Sequence, residues 1–165
     1  MKFSEQWLRE WVNPRMNSSE LVEAISMAGL EVDEVEPVAG DFSGVVVGEV
    51  TAVEPHPEAD KLSLCRVWDG QETLDVVCGA PNARSGLKAP FARPGATLPG
   101  GMAIQRTQVR GQTSNGMLCA ESELQLSDAS EGLMVLAPDA EPGADLRQWL
   151  QLDDQSLDEL RGIAP

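Results

Sequence analysis

Few residues in this chain have types and spacings suited to covalent or metal chemistry. The single histidine, His56, stands in the run His56-Pro57-Glu58-Ala59-Asp60-Lys61-Leu62. An imidazole acts as a general base only beside a group it can deprotonate, and no candidate nucleophile neighbours it in sequence. It reads as a cap on its own loop or a contact to a ligand backbone. Asp60 beside Lys61 reads as a local turn and ion pair. His56 with Cys65, Cys78 and Cys119 would form a zinc set of one imidazole and three thiols. Their successive separations of 9, 13 and 41 residues include no Cys-x-x-Cys pair, whereas structural zinc sites usually have a close pair. Cys65 and Cys78 sit in apolar alternating runs, where buried free thiols are common. Catalysis and metal binding are therefore disfavoured.

The remaining candidates are binding residues. Gly79-Ala80-Pro81-Asn82-Ala83-Arg84-Ser85-Gly86 has the glycines of a phosphate-cradling loop but not the Gly-x-x-x-x-Gly-Lys-Ser/Thr pattern of a nucleotide-triphosphate site. Asn82 there can cap a short turn. Arg110-Gly111-Gln112-Thr113-Ser114-Asn115-Gly116-Met117 combines a tight turn with hydroxyls, amides and a guanidinium. Those groups suit phosphate, ribose or an unstacked base.

Charge sharpens this. The chain has 165 residues, 12 basic and 27 acidic, for a net charge of -15. Such a total argues against a polyanionic partner until its distribution is examined. Residues 1–44 carry net -6, residues 45–120 net 0 and residues 121–165 net -9. Between Asp75 and Glu121 there is no acid at all, only Arg84, Lys88, Arg93, Arg106 and Arg110. A basic stretch confined by acidic flanks is the pattern of a surface that meets phosphates. Single-strand binders also need aromatic platforms. The central block offers only Trp68 and Phe91, and the chain has no tyrosine. Backbone and shape recognition of folded RNA fits better.

The elements that must position these residues are short. Phe3, Trp7 and Trp11 recur every four residues and predict one helix, capped by Ser4 and ended at Asn13-Pro14. Asn17 with Glu20 predicts a capping box for a second helix, with Leu21, Ile25 and Ala28 on one face and Gly29 as its stop. From Val45 the texture becomes β. Runs at 45–53, 62–68 and 73–78 read as strands, with Gly48 as a bend in the first and Asp69-Gly70 as a hairpin signal. Shorter apolar pieces follow at 89–92, 102–104, 117–119 and 133–136, separated by Gly/Pro turns. About five strands in about 100 residues suit an OB-fold barrel. Ala144–Leu150 reads as a short helix containing Trp149. An apolar share of 42% excludes disorder as the default. No apolar run reaches the roughly 18 residues of a membrane span. Three cysteines and no apolar leader predict reduced thiols in the cytoplasm.

With these motifs assembled, the chain resembles the N-terminal part of the bacterial phenylalanine–tRNA ligase β subunit. The start, Met1-Lys2-Phe3-Ser4 through Trp7-Leu8 and Trp11-Val12, and Gly29-Leu30-Glu31-Val32 carry the resemblance. His56-Pro57-x-x-Asp60-Lys61-Leu62 and Ser114-x-Gly116-Met117 are marks of tRNA-binding OB modules. The longer runs 77–82 and 116–124 are similar to the phenylalanine enzyme in particular. The resemblance implies tRNA as partner, and an (αβ)2 assembly with a catalytic α subunit and the rest of β. It also implies ATP and magnesium for the parent ligase, but no cofactor, aminoacylation site or editing site within these residues. It weakens at the end, where Leu152-Asp153-Asp154 runs into Arg161-Gly162-Ile163-Ala164-Pro165. That end reads as a truncated extension without its normal packing partner.

The sequence thus predicts a mainly β protein with short helices. It would have a helical N-terminal segment over 1–40, a five-stranded tRNA-binding OB barrel over 41–150 and an acidic truncated extension over 151–165. Arg84, Lys88, Arg93, Arg106 and Arg110, joined by Lys61, are assigned to phosphates. Asn82, Ser114 and Asn115 are assigned to ribose or bases, and Met117 to shaping its turn. The alternative is a structural part of a large assembly, favoured by the tryptophan stripe and the acidic total.

Overall fold

A computed structural model of the protein describes residues 2–37, 40–150 and 155–161. In chain order the elements are β1 (Lys2–Ser4), α1 (Glu5–Trp11), α2 (Ser18–Met27), β2 (Glu31–Pro37), β3 (Ser43–His56), β4 (Ala59–Trp68), β5 (Thr73–Cys78), β6 (Lys88–Leu98), β7 (Met102–Ala103), β8 (Thr107–Val109), β9 (Gln112–Ser114), β10 (Met117–Leu118), a 3-10 turn at Ser122–Leu124, α3 (Leu146–Trp149) and β11 (Gln155–Arg161). They form two units, Met1–Val38 with Gln151–Pro165, and Ala39–Leu150.

The first unit has the two expected helices. Ser4 Oγ accepts the Trp7 N–H at 3.1 Å, and Asn17 and Glu20 exchange both bonds of a capping box. The turn between them is held by Arg9, which pairs with the buried Glu5 at 2.7 Å and donates to the Pro14 and Met16 carbonyls. Two expectations are corrected. Phe3 belongs to a strand rather than to the helical stripe, and the remaining Trp7 and Trp11 are exposed and meet each other edge-on at 6.4 Å. The segment is also not purely helical. It carries a three-stranded antiparallel sheet in the order β1-β11-β2. The central strand, Gln155–Arg161, comes from the stretch read as an unpartnered extension. It went unread because four of its seven residues are charged or amide side chains and its two leucines stand three apart, off the two-residue period of a strand. The Leu152-Asp153-Asp154 run and residues 162–165 lie outside the described residues.

The second unit is a curled antiparallel sheet in the order β10-β6-β3-β4-β5, with β7 added beside β6. This is the five-strand order of an OB barrel. β3 is the long strand shared by both halves, pairing β4 along one edge and β6 along the other. Its β-branched residues Val45, Val46, Val47 and Val50 are buried, with Val67, Val76, Phe91, Leu118 and Leu133 completing the core. Gly48 lies within β3 at a close approach of the core. A Cβ there would lie 2.7 Å from Phe91 and 2.8 Å from Val67, so glycine admits the core close to the backbone. The register shifts between Val50 and Ala52, the geometry of a β-bulge that turns a strand around a barrel corner. The run 133–136 is not a strand, but its Met134 and Leu136 N–H groups donate to the Cys119 and Lys88 carbonyls. The expected helix over 144–150 is the single turn α3. Among the described residues no helix is long and apolar enough to cross a membrane.

Candidate nucleic-acid interface

Closure of the barrel determines where the polar turn residues go. The Asn115 N–H donates to the Asp75 carbonyl at 2.8 Å, and its Nδ2 reaches the same oxygen at 3.3 Å. Ser114 Oγ accepts the Val77 N–H at 3.1 Å and donates to the Gly116 carbonyl at 3.0 Å. These bonds stitch the free edge of β5 to the segment that enters β10, whose residues pair with Phe91 and Ala92 of β6. Gly116 is required there: its φ is +125° and a Cβ would come within 2.5 Å of the Ala92 carbonyl. Ser114, expected at ribose or base, is placed by the structure as a closing stitch. It is buried and both capacities of its hydroxyl are used inside the protein. Asn115 shares that work from a half-buried position.

Asn82 is also occupied. Its amide embraces residue 133, with Nδ2 donating to the Leu133 carbonyl at 3.0 Å and Oδ1 accepting the Leu133 N–H at 2.8 Å. That pins the β5–β6 connection across the end of the barrel. Arg93 is committed as well. Its Nε donates to Asp69 Oδ2 at 2.8 Å and its Nη2 to the Asp69 carbonyl at 2.8 Å. Asp69 is buried in the β4–β5 turn, where Oδ1 also accepts the Gln71 and Glu72 N–H groups. Burial alone would raise its carboxyl, but the N–H groups of Glu72 and Gln71 and the Arg93 guanidinium outweigh that and hold it below the usual carboxylate range. Lys88 donates from Nζ to the Pro138 carbonyl at 2.6 Å.

Of the six cations assigned to phosphates, four are exposed: Lys61, Arg84, Arg106 and Arg110. They do not form one patch. Arg84 lies in the β5–β6 connection, where the Ser85 hydroxyl and Gly86 N–H donate to Thr51 and Val50 of β3. Lys88 faces Glu49 across the β3–β6 ladder. Val50 is six residues before His56, about 20 Å along an extended strand. Lys61, Arg106 and Arg110 belong to segments at the other, His56 end of β3. Lys61 follows the turn joining the first two barrel strands, and Arg106 and Arg110 belong to the connection between the last two. These are the two loops, flanking the face of strands two and three, with which OB barrels hold oligonucleotides.

His56 joins these loops. It is buried, and its Nδ1 accepts the Glu58 N–H at 3.0 Å. That nitrogen therefore carries no proton, and Nε2–H donates to the Val109 carbonyl at 3.1 Å. The first bond caps the β3–β4 turn, as the sequence predicts. The second fixes the β8–β9 hairpin, which bears Arg110 at its tip. Register Val109↔Gln112 leaves Arg110-Gly111 as a two-residue turn, both with positive φ (52° and 82°), a type I′ hairpin turn. Sequence reasoning missed this hairpin because its strands have only three residues each and little apolar alternation.

The hairpin separates two hollows. One, of about 340 Å³, lies on the β4–β5 face and contains Glu54, Asp75 and Arg66. The other, of about 420 Å³, lies between the hairpin, β7 and β10; Arg106 is its sole charged lining residue. A third, also of about 420 Å³, adjoins it at Val77 and Met117 but includes Glu123 and Glu131. Gln105 and Thr107 flank Arg106 in the second hollow, and sequence reasoning passed over both; their position within the acid-free stretch was the available signal.

The cysteines are buried free thiols. Hydrogen bonding to Cys65 lowers the Cys78 thiol to about 7 against the effect of burial, and raises its neighbour in turn. Burial pushes the Cys119 thiol up to about 12. Among the described residues no three His, Cys, Asp or Glu side chains converge as a metal site.

The family model tRNA_bind, "Putative tRNA binding domain", matches residues 45–145, well over half of the chain. The phenylalanine–tRNA ligase β subunit of Pseudomonas fluorescens is 60% identical over 158 residues, which are 96% of this chain and 20% of that protein. The corresponding subunit of Hahella chejuensis is 59% identical over the same shares. The chain thus spans about a fifth of the length of these curated relatives. A solved MetRS-related protein from Pyrococcus horikoshii aligns at 21% identity and a TM-score of 0.47, covering 62% of this chain and 87% of that one.

Proposed function

Because the chain belongs to the tRNA_bind family, we propose that it holds tRNA non-catalytically, through phosphates, at the His56 end of β3, whose segments bear Lys61, Arg106 and Arg110. The observation that carries this is the His56 bond to Val109. It ties both ligand loops of an OB barrel into one preorganised rim bearing three exposed cations. Preorganisation spares the ordering cost that loose loops would incur on binding. The 60% identity to a ligase β subunit supports a role in presenting tRNA to a whole phenylalanine–tRNA ligase. The α subunit and the rest of β, in an (αβ)2 assembly in the cytoplasm, would then supply the chemistry with ATP and magnesium. This chain's residues would contribute affinity and orientation, not bond making.

Titration of tRNA with the protein at several salt concentrations tests this. Three phosphate contacts predict a log–log salt slope of about -2 to -3, and Lys61, Arg106 and Arg110 together changed to glutamate should abolish binding. Retention of full affinity by that triple variant would refute the assignment.

A second reading, an assembly part with little RNA affinity, has one observation behind it. Trp7, Trp11, Val12 and Met27 are exposed on the first unit at 54%, 75%, 62% and 82%, more apolar surface than one small sheet and two helices would usually leave in water. Under it, Trp7→Ser with Trp11→Ser would impair subunit association, while the charge reversals would change nothing.

A further inference from the structure

We infer that the acid-free hollow beside the β8–β9 hairpin is a subsite for a single unstacked nucleobase and its phosphate. This deepens the proposed function and rests on it for the RNA. The geometry is separate. The hollow is floored by Val77, Ile104, Val109 and Met117, and its lip carries Gln105, Arg106 and Thr107. At about 420 Å³ it falls near the low end of the roughly 300–1,000 Å³ typical of small-ligand sites, ample for one nucleobase.

The chemistry of the lining selects the ligand. A base has flat apolar faces, donor and acceptor edges and an attached anion. Met117, half-exposed at the start of β10, offers a polarisable thioether to a ring face, where sulfur–aromatic contact is favourable. Gln105 supplies both a donor and an acceptor from an exposed position, and Thr107 a hydroxyl. Arg106, exposed and lining the hollow, supplies a guanidinium for a phosphate or a second ring face. Ser114 also lines the hollow, but its hydroxyl is used by Val77 and Gly116 and is not counted.

Electrostatics singles out this hollow among its neighbours. The chain carries -15, and the hollows on either side hold Glu54 with Asp75, and Glu123 with Glu131. Excluding carboxylates from only the middle one suits an anionic occupant. Folded RNA displays such occupants in loops and bulges, whose bases can be splayed out of the stack.

The test uses the whole chain with ¹³C-labelled methionine methyls, the Met117 signal being assigned by Met117→Leu. The probes are the four ribonucleoside 5′-monophosphates, with ribose 5-phosphate as the base-free control. At least one nucleotide should shift the Met117 methyl with half-saturation on the order of 1 mM, and the control should leave it in place. An equal shift with ribose 5-phosphate would reduce the hollow to a phosphate site and overturn the proposal. In parallel, Gln105→Ala should weaken tRNA binding about 5-fold with no change in salt slope. Arg106→Gln should instead remove about 0.7–0.9 from the slope. tRNA binding with Met117 silent towards both tRNA and nucleotides would overturn the subsite and leave the proposed function standing. Nucleotide shifts at Met117 without any tRNA binding would support the subsite and sink that function.

Discussion

Arg93 separates a structural cation from a binding one. Its guanidinium makes two 2.8 Å bonds to Asp69, one to the carboxylate and one to the carbonyl. The Asp69 side chain is only 4% exposed, that of Arg93 29%. Arg93→Met keeps much of the stem but leaves a buried carboxylate with only the Gln71 and Glu72 N–H groups. Breaking a fully buried pair costs about 3–5 kcal/mol; the partial exposure of Arg93 brings this to about 2–3 kcal/mol. At about 4 °C per kcal/mol for a unit of this size, Tm should fall by about 8–12 °C. The acid dependence has a definite sign. The folded-state carboxyl of Asp69 is lowered, so its stabilisation is present above the ordinary aspartate range near pH 4 and is lost as pH falls through the folded value. Arg93→Met should shrink that acid-induced loss as well as the Tm. Thermal melts from pH 2 to 7, followed by far-UV dichroism, measure both. The tRNA salt slope of the folded variant should match that of the parent. A Tm within 2 °C of the parent, with a slope shallower by about 0.7–0.9, would refute this account and return Arg93 to the phosphates.

The other expectations are briefer. His56→Ala removes two bonds (3.1 and 3.0 Å) and should cost about 1–3 kcal/mol, seen as a lower urea midpoint, with faster amide exchange across residues 107–114 than elsewhere in the barrel. Asn82→Ala, which releases both Leu133 bonds, should destabilise by about 1–3 kcal/mol in the same urea assay while leaving tRNA affinity of the folded protein unchanged. Glu58 lies so that its carboxylate would be 3.9 Å from a Cβ at Gly111, so Glu58→Gln should strengthen tRNA binding about 2–3-fold in low salt, and the gain should fade as salt screens the rim. Gly116→Ala forces a Cβ onto the Ala92 carbonyl and should cost at least about 2 kcal/mol on thermal melting.

The barrel was legible in sequence where side chains speak through burial. The valines of β3 and the alternation around Asp69-Gly70 mark strands because one face of each must leave water. The small first-unit sheet was not legible, since β11 completes it from more than 100 residues away and its pairing is made by backbone. The candidate site divided along the same line. Charge arithmetic found the cations, but sequence cannot tell a solvated arginine from one committed to a neighbour. Arg93 and Arg106 look alike in a basic stretch until a buried Asp69 claims the first. Ser114 and Asn115 look like ligand donors until the open edge of β5 supplies the N–H and carbonyl that use them. His56 reads in sequence as a loop cap or a ligand contact; the structure has it capping the turn, while its reach to Val109 depends on a fold that brings residues 53 apart together.

The net charge of -15 then acquires a physical role. At the rim a phosphate meets Lys61, Arg106 and Arg110 with Glu58 beside Gly111, and beyond a Debye length of about 8–10 Å at moderate salt the chain's remaining charge is net acidic. Contact is favourable only where the rim is engaged, while the long-range field repels RNA from the rest of the surface. Lowering the salt therefore strengthens two opposed terms, the rim contacts and the distant repulsion. Below roughly 30 mM, where the screening length exceeds about 15 Å, the log–log binding curve should flatten and not continue its rise. Truly basic binders keep climbing, because every charge they carry attracts. A straight line to the lowest salt would mean that the acidic surface lies too far from bound RNA to matter. A plateau would mean that acidity confines binding to the rim, trading affinity for placement.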